Sequence, residues 1–517
     1  MYEGVSFIPM TWTDTLYLAP EFLLAAVFLI LIVSDLLLPK RVSRLSIGWL
    51  TLAGVLGSLL LVVLRMLDMN DGGASADAIR LLGNSYRIDD FSNLLKIVFL
   101  TGTALIVLLA LGPVRDEETI TDKAEYFYLL LPALIGAMMM ASSGNLVTLY
   151  IGLELLSLTS YVLVGMKRKS LLSAEAAFKY VVTGGISSAM VLFGMSYIYG
   201  ITGAVDLGVI GEALPRALHD FKALAYVGFF FMIAGFGIKI AAAPFHAWAP
   251  DVYQGAPTPV SAFLAVIAKG AALAAVFRIM FSVALIPVSG EDAEVFDDIF
   301  FTLLVLAAAA MLVGTTAALR QKNAKRLLAL SGVANAGYML VPIGISITVV
   351  HSSNFSEFVF YLVAYLFMTI GAFAVLTIVS RASGHEELKG FAGMYYRAPW
   401  TAAAMVIFVL SLAGLPVSGG FFGKLFILLG AASTKAYWLV AVMVLSSVIS
   451  YYFYFGLIRQ MFMRSGSDDS RLRISVGAGI VIWICAAATV ALGLFPGPLM
   501  EWIDAVFSIR GDLLLVG

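Results

Sequence analysis

Charged residues are scarce in this sequence. Asp, Glu, Lys and Arg make up 13% of the 517 residues, whereas a typical soluble domain carries about 25%. Hydrophobic residues make up 61%, which is more apolar surface than a fold in water can hide. The apolar runs are continuous rather than alternating, which argues against a transmembrane β-barrel. The sequence therefore predicts an all-α polytopic membrane protein.

The chain also lacks the residues that redox centres and metal sites need. Cys485 is the single cysteine, and disulfides, zinc sites and iron–sulfur clusters all require more thiolates. The four histidines are scattered, and no GxGxxG or GxxxxGK[ST] motif occurs. The net charge of −1, without a large block of one sign, argues against nucleic acid as a partner. We therefore expect no cofactor and no metal in this chain.

Long apolar runs are what the sequence has instead. A helix that crosses a bilayer needs about 20 apolar residues, and fourteen such runs occur. The first has no basic segment before it and is long enough to span, so we interpret it as a span rather than a secretory signal. The twelfth is too long and contains Gly414–Gly420, which predicts two half-helices joined by an unwound segment. The predicted spans lie near residues 18–38, 45–67, 91–112, 126–142, 145–166, 176–200, 223–243, 259–281, 299–319, 327–349, 356–380, 400–431, 436–462 and 474–495.

Basic residues are distributed unevenly between the predicted loops. Of the 32 Lys and Arg residues, nineteen fall in loops on one side, seven on the other side and six inside spans. Because basic loops tend to remain in the cytoplasm, this bias places both termini on the outer side. The acidic segment 291–298 falls on the outer side in this orientation. No soluble domain is predicted, so residues 1–517 are expected to form a single integral membrane domain.

Several ionisable residues lie inside predicted spans. Glu154, Lys239, Lys269 and Lys424 are deep, and Lys179 is nearer a span end. A charge near mid-bilayer costs roughly 2.5–3.5 kcal/mol on insertion scales, and such residues usually line an ion path. Static ion pairs, or lysines that reach the interface, are the alternative. Because the deep lysines outnumber the deep glutamate, we favour a proton relay in which lysines gain and lose protons.

The two halves of the chain share a pattern. Lys239 and Lys424 each lie near a span that glycine and proline disturb, one in each half. Paired discontinuous spans of this kind are typical of internal repeats in transporters. The spacing therefore predicts a repeat.

Four motifs carry a family resemblance. The segment Pro244–Val260, PFHAWAPDVYQGAPTPV, closely resembles the signature of the antiporter-like subunits of respiratory complex I. Segments 152–157 (GLELLS), 325–331 (KRLLALS) and 412–424 (LAGLPVSGGFFGK) are similar to the same family. The N-terminal segments LAPEFL and LIVSDLL resemble its N-type subunits, the counterparts of mitochondrial NADH dehydrogenase subunit 2. The resemblance covers essentially the whole chain.

The resemblance implies an architecture and an activity. It implies fourteen helices with two inverted five-helix repeats, at 126–281 (spans 4–8) and 299–462 (spans 9–13), each with a broken helix. The complex oxidises NADH, reduces quinone and pumps protons outward across the bacterial cell (inner) membrane. FMN, iron–sulfur clusters and quinone are then expected in partner subunits, with no redox centre in this chain. The implied neighbours are the M-type antiporter-like subunit, small K-, J- and A-type subunits, and the lipid bilayer.

The resemblance also implies roles for the ionisable residues. Glu154 and Lys239 would form the family's central carboxylate–lysine pair, with Lys179 near it. Lys269 would be the middle relay, and Lys424 the lysine that faces the outer side. The M type carries glutamate at this last position, so Lys424 argues against that type.

One position departs from the family pattern. Many relatives carry histidine four residues after the serine that corresponds to Ser331, and this chain has Asn335 there. Asparagine can hold a water molecule but cannot titrate. The path between the middle and outer lysines is therefore expected to run through water near Ser331, Asn335 and Tyr338. In the signature loop, which also contains Asp251, we interpret His246 as a hydrogen-bonding residue rather than a relay.

Three functions remain open at this point. The chain is a proton-pumping subunit of an NADH:quinone oxidoreductase, a subunit of an Mrp-type sodium/proton antiporter, or a spacer without an ion path. The N-type start favours the first over the second, and the deep ionisable residues favour both over the third.

Overall fold

The computed structural model describes residues 11–37, 39, 43–70, 78–116, 120–284, 293–345, 351–465 and 472–513. Within these ranges, thirteen helices are long and apolar enough to cross a membrane. Two shorter apolar helices, Pro399–Ala413 and Gly419–Ser433, follow one another and together make one interrupted span. The prediction of an all-α polytopic membrane protein with about fourteen spans is confirmed.

Twenty-one α-helices and two strands occur in the described ranges. The helices are α1 (Trp12–Tyr17), α2 (Ala19–Leu37), α3 (Leu45–Asn70), α4 (Asp90–Asp116), α5 (Lys123–Tyr128), α6 (Leu130–Ala141), α7 (Leu146–Val164), α8 (Leu171–Thr202), α9 (Leu207–Ile240), α10 (Trp248–Gly255), α11 (Thr258–Phe263), α12 (Lys269–Ala284), α13 (Ala293–Ala318), α14 (Ala324–Gly344), α15 (Asn354–Ser383), α16 (Met394–Arg397), α17 (Pro399–Ala413), α18 (Gly419–Ser433), α19 (Tyr437–Met463), α20 (Val476–Leu494) and α21 (Pro496–Val506). The strands are β1 (Ile79–Leu81) and β2 (Tyr86–Ile88).

The predicted interruption of the twelfth span is confirmed. Helix α17 ends at Ala413, and α18 begins at Gly419. Gly414 has a φ of 81°, a left-handed conformation that glycine adopts without a steric cost. Ser418 caps the second half-helix, because its side chain accepts a hydrogen bond from the backbone N–H of Phe421.

A second interruption follows the seventh span. Helix α9 ends at Ile240, where Ala241 takes a left-handed conformation with φ 59°. The short helix α10 then begins at Trp248, whose Nε1 donates to the backbone oxygen of Ile238 at 2.9 Å. Within the described ranges, the helix pairs α9/α10 and α17/α18 are thus interrupted, and each lies next to one of the predicted relay lysines.

The seventh span begins earlier than predicted. We expected it to start near residue 223, but α9 already begins at Leu207. Buried residues recur at helical spacing there, at Leu207, Ile210, Leu214 and Leu218. The stretch is an amphipathic helix that joins the membrane helix at a kink at Phe221, rather than a loop.

The polar stretch 68–90 also contains structure that the sequence did not predict. Strands β1 and β2 form an antiparallel hairpin, with Ile79 opposite Ile88 and Leu81 opposite Tyr86. The amphipathic helix α21, after the last span, was likewise not predicted. Of the acidic segment 291–298, residues 291 and 292 lie outside the described ranges, and residues 293–298 begin α13.

Bridges between segments mark two ends of the helix bundle. At the end that we call the basic end, backbone bridges join Lys167 to residue 120 and Asn323 to residue 387. At the opposite end, which we call the terminal end, the hairpin residue Tyr86 bridges to Ser143. Helices α14, α12 and α15 are almost wholly buried between these two ends, whereas α2 and α19 are largely exposed. The centre of the molecule is therefore the α12–α14–α15 group, where two of the predicted relay segments lie.

Candidate functional site

Lys239 lies at the last turn of α9, beside the first helix break. Its Nζ atom donates to Ser157 Oγ at 2.8 Å and to Tyr161 Oη at 3.2 Å, both on α7. On α8 it donates to Ser188 Oγ at 3.2 Å and to the backbone oxygen of Gly184 at 3.4 Å. Four oxygens from two neighbouring helices therefore replace the water that this half-buried ammonium group would otherwise bind.

In the conformation described, Glu154 and Lys239, the expected carboxylate–lysine pair, are not in direct contact. Among the described residues, no carboxylate oxygen of Glu154 lies within the 4.0 Å of the Lys239 Nζ atom that defines an ion pair. Its Oε1 atom is buried and has no hydrogen-bond partner in that part of the chain. Ser157, three residues further along α7, makes the contact instead. Hydroxyl groups of α7 and α8 therefore bind the Lys239 ammonium group in place of the Glu154 carboxylate.

Lys179 belongs to a different cluster, at the basic end. Its Nζ atom lies 2.6 Å from Asp251 Oδ2 on α10 and 2.6 Å from Glu175 Oε1 on its own helix. Arg326, at the start of α14, also pairs with Asp251 and donates to Gln254 Oε1. Lys179 was expected near Glu154 and Lys239, but among the described residues it contacts Asp251 and Glu175 instead.

The cluster around Asp251 connects three helices. Burial would raise the pKa of the Asp251 carboxyl, but hydrogen bonds from Lys179 and Arg326 outweigh it and hold that pKa below its usual range. The carboxylate therefore stays charged at neutral pH and links α8, α10 and α14. Asp251 thereby holds α10, the half of the first broken helix that lies at the basic end, in place.

His246 lies in the segment between α9 and α10. Its Nδ1 atom is buried and has no hydrogen-bond partner among the described residues. Burial lowers the pKa of the imidazole, and a hydrogen bond to the backbone of Pro244 partly offsets this shift. Trp248, two residues further on, provides the hydrogen bond that closes the break.

Lys269 lies in the centre of the molecule. It follows a π-helical turn at Leu264–Ala268 and begins α12. Its side chain is buried, and its Nζ atom donates to the backbone oxygen of Gly332 on α14 at 2.6 Å. A Cβ atom at residue 332 would lie 3.1 Å from this Nζ atom and 3.0 Å from Tyr365 Oη. The glycine therefore lets the ammonium group reach the backbone of the facing helix.

A string of polar side chains continues from Gly332 along α14. The hydroxyl groups of Ser331 and Tyr454 are hydrogen-bonded to each other. Asn335 Nδ2 lies 3.4 Å from Ser331 Oγ, and Asn335 Oδ1 accepts a hydrogen bond from Tyr361 Oη at 2.9 Å. Asn335 thus links α14 to α15 and faces the interior, in the slot where the family resemblance leads one to expect histidine.

Lys424 lies on α18, just after the second helix break. It is buried, and its Nζ atom donates to the backbone oxygen of Leu412, the last turn of α17, at 2.8 Å. The same Nζ atom lies 4.8 Å from the centroid of the Tyr338 ring. Tyr338 Oη is within 2.7 Å of both Met443 O and Ser447 Oγ on α19. A carbonyl at the end of α17 and an aromatic face therefore hold this lysine in the interior.

A small cavity connects the Asn335 region with Lys424. The centre of a water molecule can occupy about 10 Å³ of it, which is roughly the room that one water needs. Eight of the eleven residues that line it carry a polar or ionisable side chain to which a water molecule can bind. The walls are formed by Thr315, Ser331, Ala334, Asn335, Tyr338, Leu412, Lys424, Ser446, Ser450, Phe453 and Tyr454.

Sequence reasoning missed a buried ionic group at the terminal end. Glu21 Oε1 lies 2.8 Å from Lys96 Nζ and accepts a hydrogen bond from Tyr86 Oη at 2.8 Å. Arg65 lies 3.8 Å from the other carboxylate oxygen. Lys96 lies inside an apolar run of the sequence, and this isolated charge could have indicated the buried ionic group.

A second buried pair was also missed. Arg278, on α12, donates to both carboxylate oxygens of Asp89 at 2.8 Å. Asp512, near the C-terminus, accepts the backbone N–H of Asp90 at 2.9 Å. The Asp512 contact fastens the C-terminal segment to the start of α4, and the Arg278 contact fastens α12 to the residue before α4.

In the described part of the chain, no group of three or more His, Cys, Asp or Glu side chains is arranged for a metal ion.

Comparison with known proteins places this architecture in a family. Residues 143–450 match the family described as NADH:quinone oxidoreductase/Mrp antiporter, TM. The NADH-quinone oxidoreductase subunit N of Paenibacillus sp. (strain JDR-2) is 70% identical, over 98% of this chain and 99% of the relative. The protein of the same name from Brevibacillus brevis (strain 47 / JCM 6285 / NBRC 100599) is 46% identical, over 96% of each chain.

A solved structure agrees with these sequence relatives. A chain of respiratory complex I from Thermus thermophilus, determined with bound Aureothin, superposes with a TM-score of 0.76 at 30% identity. The superposition covers 94% of this chain and 99% of that one. The predicted resemblance to N-type antiporter-like subunits is confirmed: the chain belongs to the family of antiporter-like membrane subunits of NADH:quinone oxidoreductases, and within it to the proteins named subunit N.

Proposed function

We propose that the chain is a proton-translocating membrane-arm subunit of a multi-subunit NADH:quinone oxidoreductase. NADH oxidation and quinone reduction take place elsewhere in the complex and drive outward proton pumping through a Glu/Lys relay in this subunit. One observation carries the proposal: Lys239, Lys269 and Lys424 lie inside the helix bundle, each held by oxygen atoms of a neighbouring helix. Membership of the subunit N group supports the same function.

The first step of the relay involves Glu154 and Lys239. In the conformation described, the ammonium group rests on hydroxyl oxygens and the Glu154 carboxylate is not bonded to it. A carboxylate that approaches an ammonium group stabilises the charged form, and its departure favours release of the proton. The free Oε1 atom of Glu154 and the exchangeable hydroxyl contacts of Lys239 support a pair that forms and separates during turnover.

The second step moves the proton through the centre. In the described part of the chain, the Lys269 ammonium group donates one hydrogen bond, to the carbonyl of Gly332, which leaves it able to exchange its proton with neighbouring polar groups. Ser331, Asn335 and the cavity beside Lys424 then offer a route in which water carries the proton. Asn335 holds that water and does not itself take up a proton.

We further propose that residues 126–281 and 299–462 are inverted repeats. Each segment contains one of the two discontinuous helix pairs, α9/α10 and α17/α18. Lys239 precedes the first break by two residues, and Lys424 follows the second break. The short half of the first pair leads toward the basic end, whereas α18 leads toward the terminal end. This opposite sense supports an inverted relation.

The proposal includes an orientation in the bacterial cell (inner) membrane. The basic end faces the cytoplasm, and both termini are on the outer side, because basic residues are concentrated in the loops of the basic end. Lys424 then belongs to the half of the second broken helix that leads outward.

Partners supply the chemistry that this chain does not. We propose that FMN, iron–sulfur clusters and the quinone site reside in other subunits. The neighbours in the membrane arm are the M-type antiporter-like subunit and small K-, J- and A-type subunits. The long rows of exposed apolar residues on α2, α3, α8 and α19 suit contact with such helices and with lipid.

Purification from the native membrane tests the proposal against an Mrp-type antiporter. An affinity-tagged chain is expected to co-purify with flavin and iron–sulfur subunits and with NADH–quinone activity. Recovery in a complex that lacks flavin and iron and exchanges sodium for protons would overturn it. A complex with full NADH–quinone activity whose proton-to-electron ratio does not change when Lys239 is replaced would support a spacer instead.

A further inference from the structure

We propose that Glu357 and His351 form the site from which this subunit releases its protons at the terminal end. The inference rests on the proposed function and deepens it, because it assigns the last proton-carrying groups after Lys424. It uses a buried acid that the relay described above leaves without a role.

The carboxyl group of Glu357 is buried without full hydrogen bonding. Glu357 lies in the first turn of α15, at the terminal end, and is only 4% exposed. Its Oε1 atom lies 3.6 Å from Nε2 of His351, and among the described residues its Oε2 atom has no hydrogen-bond partner. A buried polar atom without a hydrogen-bond partner destabilises the fold, so a carboxyl kept here only for stability would be unfavourable. A group that binds and releases a proton accounts for its presence.

Helix α18 has a glycine, Gly430, at the point where Glu357 and His351 contact it. A Cβ atom at Gly430 would lie 2.7 Å and 2.8 Å from the two carboxylate oxygens of Glu357, and 2.9 Å from Cε1 of His351. Seven residues earlier on the same helix, a Cβ atom at Gly423 would lie 2.4 Å from the Tyr361 ring. Two glycines, two turns apart, thus bring α18 against α15 along the line from Lys424 to Glu357.

Polar groups continue along that line in both directions. Tyr361 lies one turn from Glu357 on α15 and donates to Asn335, which lines the same cavity as Lys424. At 1.5 Å of rise per residue, the seven residues from Gly423 to Gly430 cover about 10 Å of α18, which is the distance that a chain of water molecules must bridge in this proposal. On the other side, Ser356 is hydrogen-bonded to Asp504, an exposed residue of α21. The site therefore lies between the interior relay and the solvent-exposed surface.

The proton steps balance without any further reactant. The ammonium group of Lys424 loses a proton, through water, to the Glu357 carboxylate, so that one N–H bond breaks and one O–H bond forms. The Glu357 carboxyl passes the proton to the neutral imidazole of His351, and the imidazolium gives it to water at the terminal end. Lys424 is left neutral and is protonated again from Lys269, and Glu357 returns to the carboxylate.

The test uses the complete complex in its own membranes. Glu357→Gln removes the exchangeable proton and nearly keeps the shape, and Glu357→Asp keeps the titrating group. His351→Gln removes the second carrier, and Gly430→Ala keeps both groups but displaces the carboxylate. The control is Glu501→Gln, which changes an exposed carboxyl of α21 at the same end. Lys424→Met, in parallel, reports on the relay itself. Assembly, NADH–quinone turnover and the proton-to-electron ratio are measured for each.

We expect Glu357→Gln and His351→Gln to lower turnover and pumping about fivefold or more at normal assembly, as loss of a proton-transfer group does. Glu357→Asp should keep more activity than Glu357→Gln because it retains the titrating group, and the control should keep all of it. Wild-type pumping in assembled Glu357→Gln, with loss in Lys424→Met, would overturn the release site alone. Wild-type pumping in Lys424→Met as well would overturn the proposed relay. If Glu357→Gln does not assemble, His351→Gln and Gly430→Ala decide: loss of pumping supports the site, and wild-type pumping in both overturns it.

Discussion

At the scale of single residues, the sequence showed which charges lie inside the membrane but not what they touch. Lys239, Lys269 and Lys424 could be identified because an isolated lysine in an apolar run is conspicuous. Their partners could not, since Ser157 is 82 positions from Lys239 and Gly332 is 63 positions from Lys269. Serine, tyrosine and backbone oxygens are too common in any sequence to be assigned to a distant lysine before the helices are packed.

The first prediction concerns Glu154. We expect Glu154→Gln to lower NADH–quinone turnover and proton pumping about tenfold or more, because the neutral amide cannot stabilise the Lys239 ammonium in the paired state. Glu154→Asp keeps the charge and should retain more activity. Both rates are measured in membranes, with assembly checked on native gels.

Glu175→Gln is the matched control, since Glu175 is an exposed carboxyl that pairs with Lys179 at the basic end. It should pump normally. An assembled Glu154→Gln complex with wild-type rate and proton-to-electron ratio would show that the carboxylate is structural.

The second prediction concerns Asn335 and the water that it holds. Asn335→Ala should lower pumping only in part, because a water molecule can fill the space among the remaining polar walls. Asn335→Leu should lower it further, because apolar volume then fills the cavity. Pumping is measured as a proton-to-electron ratio. Equal and complete loss in both variants would mean that the amide itself is indispensable.

At the scale of helices, the sequence predicted the interruption in the twelfth span and missed the start of the seventh. Gly414 and Pro416 interrupt a run that is otherwise too long for one span, so composition alone reveals the break. The first part of α9 is amphipathic and charged, and hydropathy therefore assigns it to a loop. The hairpin of β1 and β2 is only three residues per strand, which is too short for a periodic signal.

The third prediction tests the close packing of the second broken helix. A Cβ atom at Gly420 would lie 2.1 Å from the backbone oxygen of Ser411, so Gly420→Ala must push the two half-helices apart. Overpacking of this kind typically costs about 1–3 kcal/mol, and we expect a lower thermal midpoint and reduced assembly.

Gly456→Ala provides the comparison, because nothing lies within 4 Å of a Cβ atom built there. Alanine is favoured over glycine in a helix by about 1 kcal/mol, so this variant should unfold at the same temperature or slightly higher. Equal thermal midpoints for the two variants would mean that α17 and α18 do not need the close approach.

At the scale of the whole molecule, the buried helices α12, α14 and α15 form a core between two ends that differ in charge. The distribution of basic residues could predict which loops share an end, since every Lys or Arg in a loop adds to the same bias. It could not predict that Asp251 fastens three helices at the basic end, or that Asp512 fastens the C-terminus at the other. Both contacts join segments that are far apart in sequence.

The fourth prediction is the orientation. Cys485 is buried, so single cysteines introduced elsewhere can be labelled without removing it. Arg168→Cys, at a side chain that is 62% exposed, should be labelled only after the cells are opened. Glu294→Cys, at one that is 71% exposed, should be labelled from outside in intact cells. The reverse pattern would invert the proposed topology.

The central claim is that protons cross the membrane through the lysines of this chain, and Lys269→Met tests it most directly. Lys269 lies between the two halves, is buried, and can be replaced by a side chain of similar length that cannot carry a proton. The measurement is the number of protons pumped per electron, together with NADH–quinone turnover, by fully assembled complex in sealed membrane vesicles. The account predicts that pumping and turnover both fall about tenfold or more. An assembled Lys269→Met complex that pumps at the wild-type ratio and rate would contradict it.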